Sequence, residues 1–75
     1  MEWAEVPARR LADTALEAVA ELARDKAIEV DAVIPEGLRV RCDRKLIERA
    51  LINLLDNAVK YTPAPGRVRL SARQL

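Results

Sequence analysis

The chain has 75 residues, 13 basic against 12 acidic, and is 51% hydrophobic and 33% charged. That length holds one domain at most, buries only ~60% of its unfolded surface and leaves stability marginal. Near-cancelling charge argues against a dedicated nucleic-acid or membrane-surface binder, and no apolar run approaches the ~20 residues of a membrane span.

The first ten residues, MEWAEVPARR, lack the apolar stretch of a signal peptide. Cys42 is the single cysteine, so it forms no internal disulfide and suits a reducing cytosol. There is no histidine. This excludes a Ser-His-Asp triad, a Cys₂His₂ zinc site, a base for Cys42 and a phosphoacceptor histidine within the chain. Gly37 and Gly66 are the only glycines and stand apart, so no Gly-rich phosphate loop is present.

Glu2 to Val6 is a short edge strand or arm. Pro7 suits the first position of a helix, where its missing N–H is no loss. From Ala8 to about Lys26, Leu11, Ala12, Ala15, Leu16, Val19, Leu22 and Ala23 cover an arc of roughly 140°, with charges opposite. This predicts an amphipathic helix. Ile28 to Ile34 switches to period two and reads as a half-buried strand. Pro35-Glu36-Gly37 is a turn. Leu38 to Cys42 alternates again, as a short strand or extended lead-in.

Asp43 is a good N-cap for a second helix from about Arg44 to Tyr61, which Thr62-Pro63 stops. After Ala64-Pro65-Gly66 turns the chain, Arg67 to Arg73 alternates, with Val68, Leu70 and Ala72 inward. The order helix, strand, short strand, helix, strand predicts an α+β fold, with the helices on one face of a small sheet.

The second helix carries the chemistry. Counting from Leu46 at ~100° per residue, Ile47, Ala50, Leu51, Leu54, Leu55, Ala58 and Val59 form one apolar face. Asn53, Asn57 and Lys60 fall within ~60° of each other at its margin, and Tyr61 sits just on the apolar side. The stripe is expected to be half sheltered. Amides gain nothing from helix propensity. An asparagine carbonyl is a hard neutral donor for Mg²⁺, a lysine reaches phosphate, and a tyrosine ring covers a base or sugar. Each residue alone has a bland reading: a solvated amide, a helix-end charge favoured by the dipole, an amphipathic rim residue.

Asn53-Leu-Leu-Asp-Asn57-Ala-Val-Lys60-Tyr61-Thr-Pro resembles the N-box of the histidine-kinase ATPase domain, in the GHKL (Bergerat-fold) superfamily. Asp43-Arg-Lys-Leu46-Ile-Glu-Arg resembles that family's approach to the N-box. Potassium-sensor kinases of the KdpD type look nearest. The resemblance implies a two-layer α/β sandwich, a partial Bergerat fold. It implies that Asn57 binds Mg²⁺ on ATP and that Lys60 contacts phosphate. Tyr61 would line the nucleotide pocket. Asn53 stands where ATP-hydrolysing relatives carry a glutamate base, which suits phosphotransfer. Leu54 and Leu55 would be core, and Glu48 and Asp56 exposed charges.

The family's Asp-x-Gly-x-Gly adenine motif, its ATP lid and its phosphoacceptor helices are not in the 75 residues. The expectation is therefore the N-terminal part, residues 1–75, of the catalytic domain of a cytoplasmic region of a sensor kinase. Its partners would be ATP, a phosphoacceptor histidine domain and a response regulator. This part alone is expected to be inactive, to bind ATP weakly or not at all, and to dimerise or swap through an unpaired strand Arg67–Arg73. The alternatives are an anti-sigma-type serine kinase and a non-catalytic interaction module.

Overall fold

The 3.6-residue spacing of Leu11, Ala12, Ala15, Val19 and Ala23 is realised in a computed structural model as α1, Ala8–Lys26, with all five buried. Residues 3–73 are described, so Glu2 of the first expected strand lies outside them. Pro7 does not open the helix. It ends β1, Ala4–Pro7, and takes the N-cap position with extended ψ 127°. Its side chain caps nothing, and the Ala8 N–H instead donates to Leu38 O at 2.9 Å. At the other end Ala27 adopts the left-handed conformation, φ 61°, and its N–H returns to Ala23 O and Arg24 O. Glycine usually takes that position, because a Cβ is crowded there.

Ala27 swings the chain into β2, Ile28–Val33. Ile34, expected as part of the strand, lies just past it. Gly37, with φ 80°, turns the chain into β3, Arg39–Cys42. Asp43 then caps α2, Arg44–Tyr61, by accepting from the Leu46 N–H at 3.4 Å. Thr62 and Pro63 end α2, and β4 spans Gly66–Ser71.

The strands form two separate two-stranded sheets, where a single small sheet is expected from the sequence. β1 pairs antiparallel with β3, Val6 opposite Val40. β2 pairs parallel with β4, Ile28 opposite Gly66 and Val33 opposite Ser71. The strand expected to lack its partners therefore has one, and β4 is shorter than Arg67–Arg73. The outward faces explain this register. Glu29 is opposite Arg67 and Asp31 opposite Arg69, and each pair forms a salt bridge at 2.9 Å. A slip by one residue would turn these charges toward the helices and Val30, Val68 and Leu70 toward water.

Both helices pack on the inner sheet faces and on each other, giving the two-layer sandwich. The core runs along them in three groups: Val6, Leu11 and Cys42; Ala15, Val19 and Leu55; Ala23, Ile28 and Val59. Alanines 12, 15 and 23 are at most 4% exposed and let α2 approach α1 closely. Free Cys42 is buried and packs as a small hydrophobe.

One sequence expectation is corrected by this packing. Of α2, Leu55 and Val59 are buried and Ile47, Leu51 and Ile52 pack half-buried against the core, a face shifted from the expected one of Ile47, Ala50, Leu51, Leu54, Leu55, Ala58 and Val59. Leu46 and Leu54 stand more than half exposed and Ala50 is exposed. The reason is that α1 covers α2 from the Ile52 side. The buried arc is thereby rotated away from Leu46 and Leu54, leaving Ala50 and Leu54 of the expected apolar face in water.

Candidate functional site

Asn53, Asn57, Lys60 and Tyr61 all lie on α2, and all are exposed. One helix at 3.6 residues per turn suffices to bring the two amides and the ammonium to one side. The half-sheltered setting expected for this stripe is not observed. Tyr61 is 82% exposed and lies beside the uncovered apolar strip of Leu46, Ala50 and Leu54. The rotation of α2 is again the cause. Whatever binds the amides therefore also meets an apolar strip running alongside them.

Lys60 is not a free charge. Its Nζ sits 2.9 Å from Asp56 Oδ2, one turn back. The hydrogen bond to Asp56, and then the attraction of that carboxylate, raise the Lys60 pKa. Lys60 is therefore a firmly protonated cation held in place by its neighbour, and a phosphate would share it with Asp56. Asp56 is half-buried and Glu48 pairs with Arg44 at 3.4 Å, so neither is the freely exposed charge expected from the sequence.

The backbone under the stripe is tightly held. A helix leaves its last carbonyls without intrahelical donors. Here Ala58 O accepts from the Thr62 N–H at 3.1 Å and the Thr62 hydroxyl at 2.6 Å. Lys26, the last residue of α1, donates from Nζ to Val59 O at 2.8 Å and also to Lys60 O. From the sequence Asp56 is only an exposed charge, Thr62 only part of a helix stop and Lys26 only the end of α1. A capping role for Thr62 is readable from its place before Pro63, but Lys26 lies 33 residues from its acceptor and leaves no local signal.

The donor set tests what ion this surface could hold. Among the described residues no group of three or more His, Cys, Asp or Glu side chains could cage a metal. Two neutral amide oxygens beside an ammonium suit a cation that arrives already neutralised by phosphate oxygens, which is how Mg²⁺ is usually held. They fit Mg²⁺ on a polyphosphate and do not fit a bare metal site. No helix among the described residues is long and apolar enough to cross a membrane.

No family model matches the chain. It is 40% identical over 52 residues to the adaptive-response sensory kinase SasA of Rippkaea orientalis, 68% of this chain and 13% of the relative. It is 41% identical over 63 residues to the signal transduction histidine-protein kinase/phosphatase MprB of Mycobacterium ulcerans, 84% of this chain and 12% of the relative. The catalytic domain of histidine kinase ThkA superposes with a TM-score of 0.92 at 29% identity, over 100% of this chain and 52% of that one. ThkA in complex with the response regulator TrrA superposes at 0.86 and 27%, over 97% of this chain and 22% of that one. In sequence and fold the chain is thus homologous to sensor histidine kinases, and it spans about half of a solved catalytic domain and about an eighth of the curated relatives.

Proposed function

We propose that this chain is the N-box half of the ATP-binding domain of a two-component sensor histidine kinase of the KdpD type. The observation that carries the reading is the exposed row of Asn53, Asn57 and Lys60 with Tyr61 at its end, on a chain homologous to sensor histidine kinases. The whole protein would transfer the γ-phosphoryl group of ATP to a histidine on a separate domain, and from there to an aspartate of a response regulator. ATP places this region on the cytoplasmic side.

The residues divide the work by chemistry. Asn57 offers its carbonyl oxygen to Mg²⁺ on the phosphates. When bound, Mg²⁺ would neutralise charge on the polyphosphate. Asn53 takes a second polar contact and, having no basic group at neutral pH, does not activate water; this keeps the site a transferase and not a hydrolase. Lys60, oriented by Asp56, adds one positive charge for phosphate. Tyr61 lays its ring along the base or sugar.

The test uses the side-chain amides as probes, since only Asn53, Asn57 and Gln74 carry one. Titration with ATP and Mg²⁺, followed by NMR, should shift the Asn53 and Asn57 amide signals with an affinity weaker than ~1 mM. Asn57→Ala should remove the Mg²⁺-dependent part and leave stability within ~0.5 kcal/mol, because the side chain is exposed. Unmoved Asn53 and Asn57 signals would refute the nucleotide reading. A micromolar dissociation constant would refute the claim that these residues are half of a site.

A further inference from the structure

We infer that Lys26 is a positioning residue for the nucleotide end of α2, an inference that rests on the nucleotide reading above. Its Nζ donates to two successive carbonyls of the last turn, Val59 O at 2.8 Å and Lys60 O. Those carbonyls belong to the turn that carries Lys60 and Tyr61, the two residues assigned to phosphate and to base or sugar. An ammonium at a helix C-terminus also meets the negative end of the dipole. The bond to Val59 O is partly buried, so solvent competes with it less than with a surface pair, while the bond to Lys60 O is exposed. Lys26 itself ends α1 next to the left-handed Ala27, so its backbone is fixed by the cap that turns α1 into β2. Through Lys26 the end of one helix sets the height and rotation of the last turn of the other. Lys60 and Tyr61 then project from a turn that cannot fray, and a bound nucleotide does not have to order it.

The test compares Lys26→Met, which keeps length and loses the donor, with Lys26→Arg, which keeps a donor. Val40→Ala serves as a stability control, since Val40 packs at the far end of the molecule against Val6, Leu11 and Cys42. In the 75-residue chain, Lys26→Met should speed amide exchange at Tyr61 and Thr62 by about ten-fold and weaken the MgATP-dependent shift of Asn57 by about three- to ten-fold. Lys26→Arg should restore both to within about two-fold, and Val40→Ala should leave nucleotide affinity within about two-fold of wild type. Unchanged exchange in Lys26→Met would overturn the cap. Faster exchange with unchanged affinity would overturn the positioning role while leaving the nucleotide reading intact. A wild-type chain that shows no MgATP shift would overturn the nucleotide reading, and the positioning role with it.

Discussion

Leu54 and Leu55 are adjacent, identical in chemistry and opposite in fate, which makes them a paired test of how α2 is rotated. Leu55 is 2% exposed and packs with Ala15, Val19, Leu51 and Ile52. Leu54 is 58% exposed. Truncating a buried leucine to alanine costs about 2–5 kcal/mol, the lost transfer energy plus the cavity. A chain of this size has roughly 4–11 kcal/mol of total stability. Leu55→Ala therefore removes between a fifth of the stability and all of it. At ~4–8 °C per kcal/mol, its melting temperature should fall by roughly 10 °C or more. Leu54→Ala removes mostly hydrated surface and puts in the best helix former, so its effect should stay under ~0.5 kcal/mol. Thermal unfolding followed by helical circular dichroism measures both. Equal losses for the two variants would refute the rotation of α2 and restore Leu54 to the core.

Three further outcomes are expected. Ala27→Gly should stabilise the chain by ~0.5–1 kcal/mol in the same melts, since it relieves a Cβ at φ 61° and returns part of the gain as unfolded-state entropy; any loss of stability would show that the cap is not left-handed. The hydrogen bond from Arg69 holds the Asp31 carboxyl below the usual carboxylate range, so its stabilisation is present above about pH 4 and is lost as pH falls further. Asp31→Asn should flatten that acid limb, and an unaltered limb would refute the role of the pair. The edge of β4 away from β2 pairs with no strand among the described residues, and an open edge recruits another chain; equilibrium sedimentation should show dimerisation at high concentration, which a clean monomer would refute.

What could be read from the sequence was governed by local signals. Asp43 as a cap, Thr62-Pro63 as a stop and the period of 3.6 between them place α2 at the observed Arg44–Tyr61. The two-residue alternation places Val68 and Leu70 inward. Pairing is different, because it joins residues far apart. Ala4 meets Cys42 and Glu29 meets Arg67, each 38 positions away, and periodicity carries no information about which strand pairs with which. The rotation of α2 was lost for the same reason. Its sequence offers a wider apolar arc than one neighbour can cover, and only the position of α1 decides that Ile52 goes in and Leu54 stays out. That Asn53, Asn57, Lys60 and Tyr61 share one side of one helix was legible, because helix geometry is local. Their exposure, the grip of Asp56 and the support from Lys26 were not.

The α2 C-terminus combines a fixed backbone with free side chains. Ala58 O is doubly satisfied, Lys26 holds the next two carbonyls, and the turn beyond is closed so tightly that a Cβ on Gly66 would lie 2.7 Å from both Pro63 O and Thr62 Cγ2. Such a frame lowers the ordering cost of binding, but it does not supply contacts. Two amides and one ammonium contribute roughly 3–6 kcal/mol in hydrogen bonds. Association costs at least ~4 kcal/mol in lost translation and rotation. The balance is close to zero, which puts the affinity of these groups alone far weaker than ~1 mM, nearer the molar range. The missing term is burial, and the uncovered strip of Leu46, Ala50, Leu54 and Tyr61 is where it would be gained. At ~25 cal/mol per Å², covering about 150 Å² of that strip adds about 4 kcal/mol, enough to move a near-molar contact to a millimolar one.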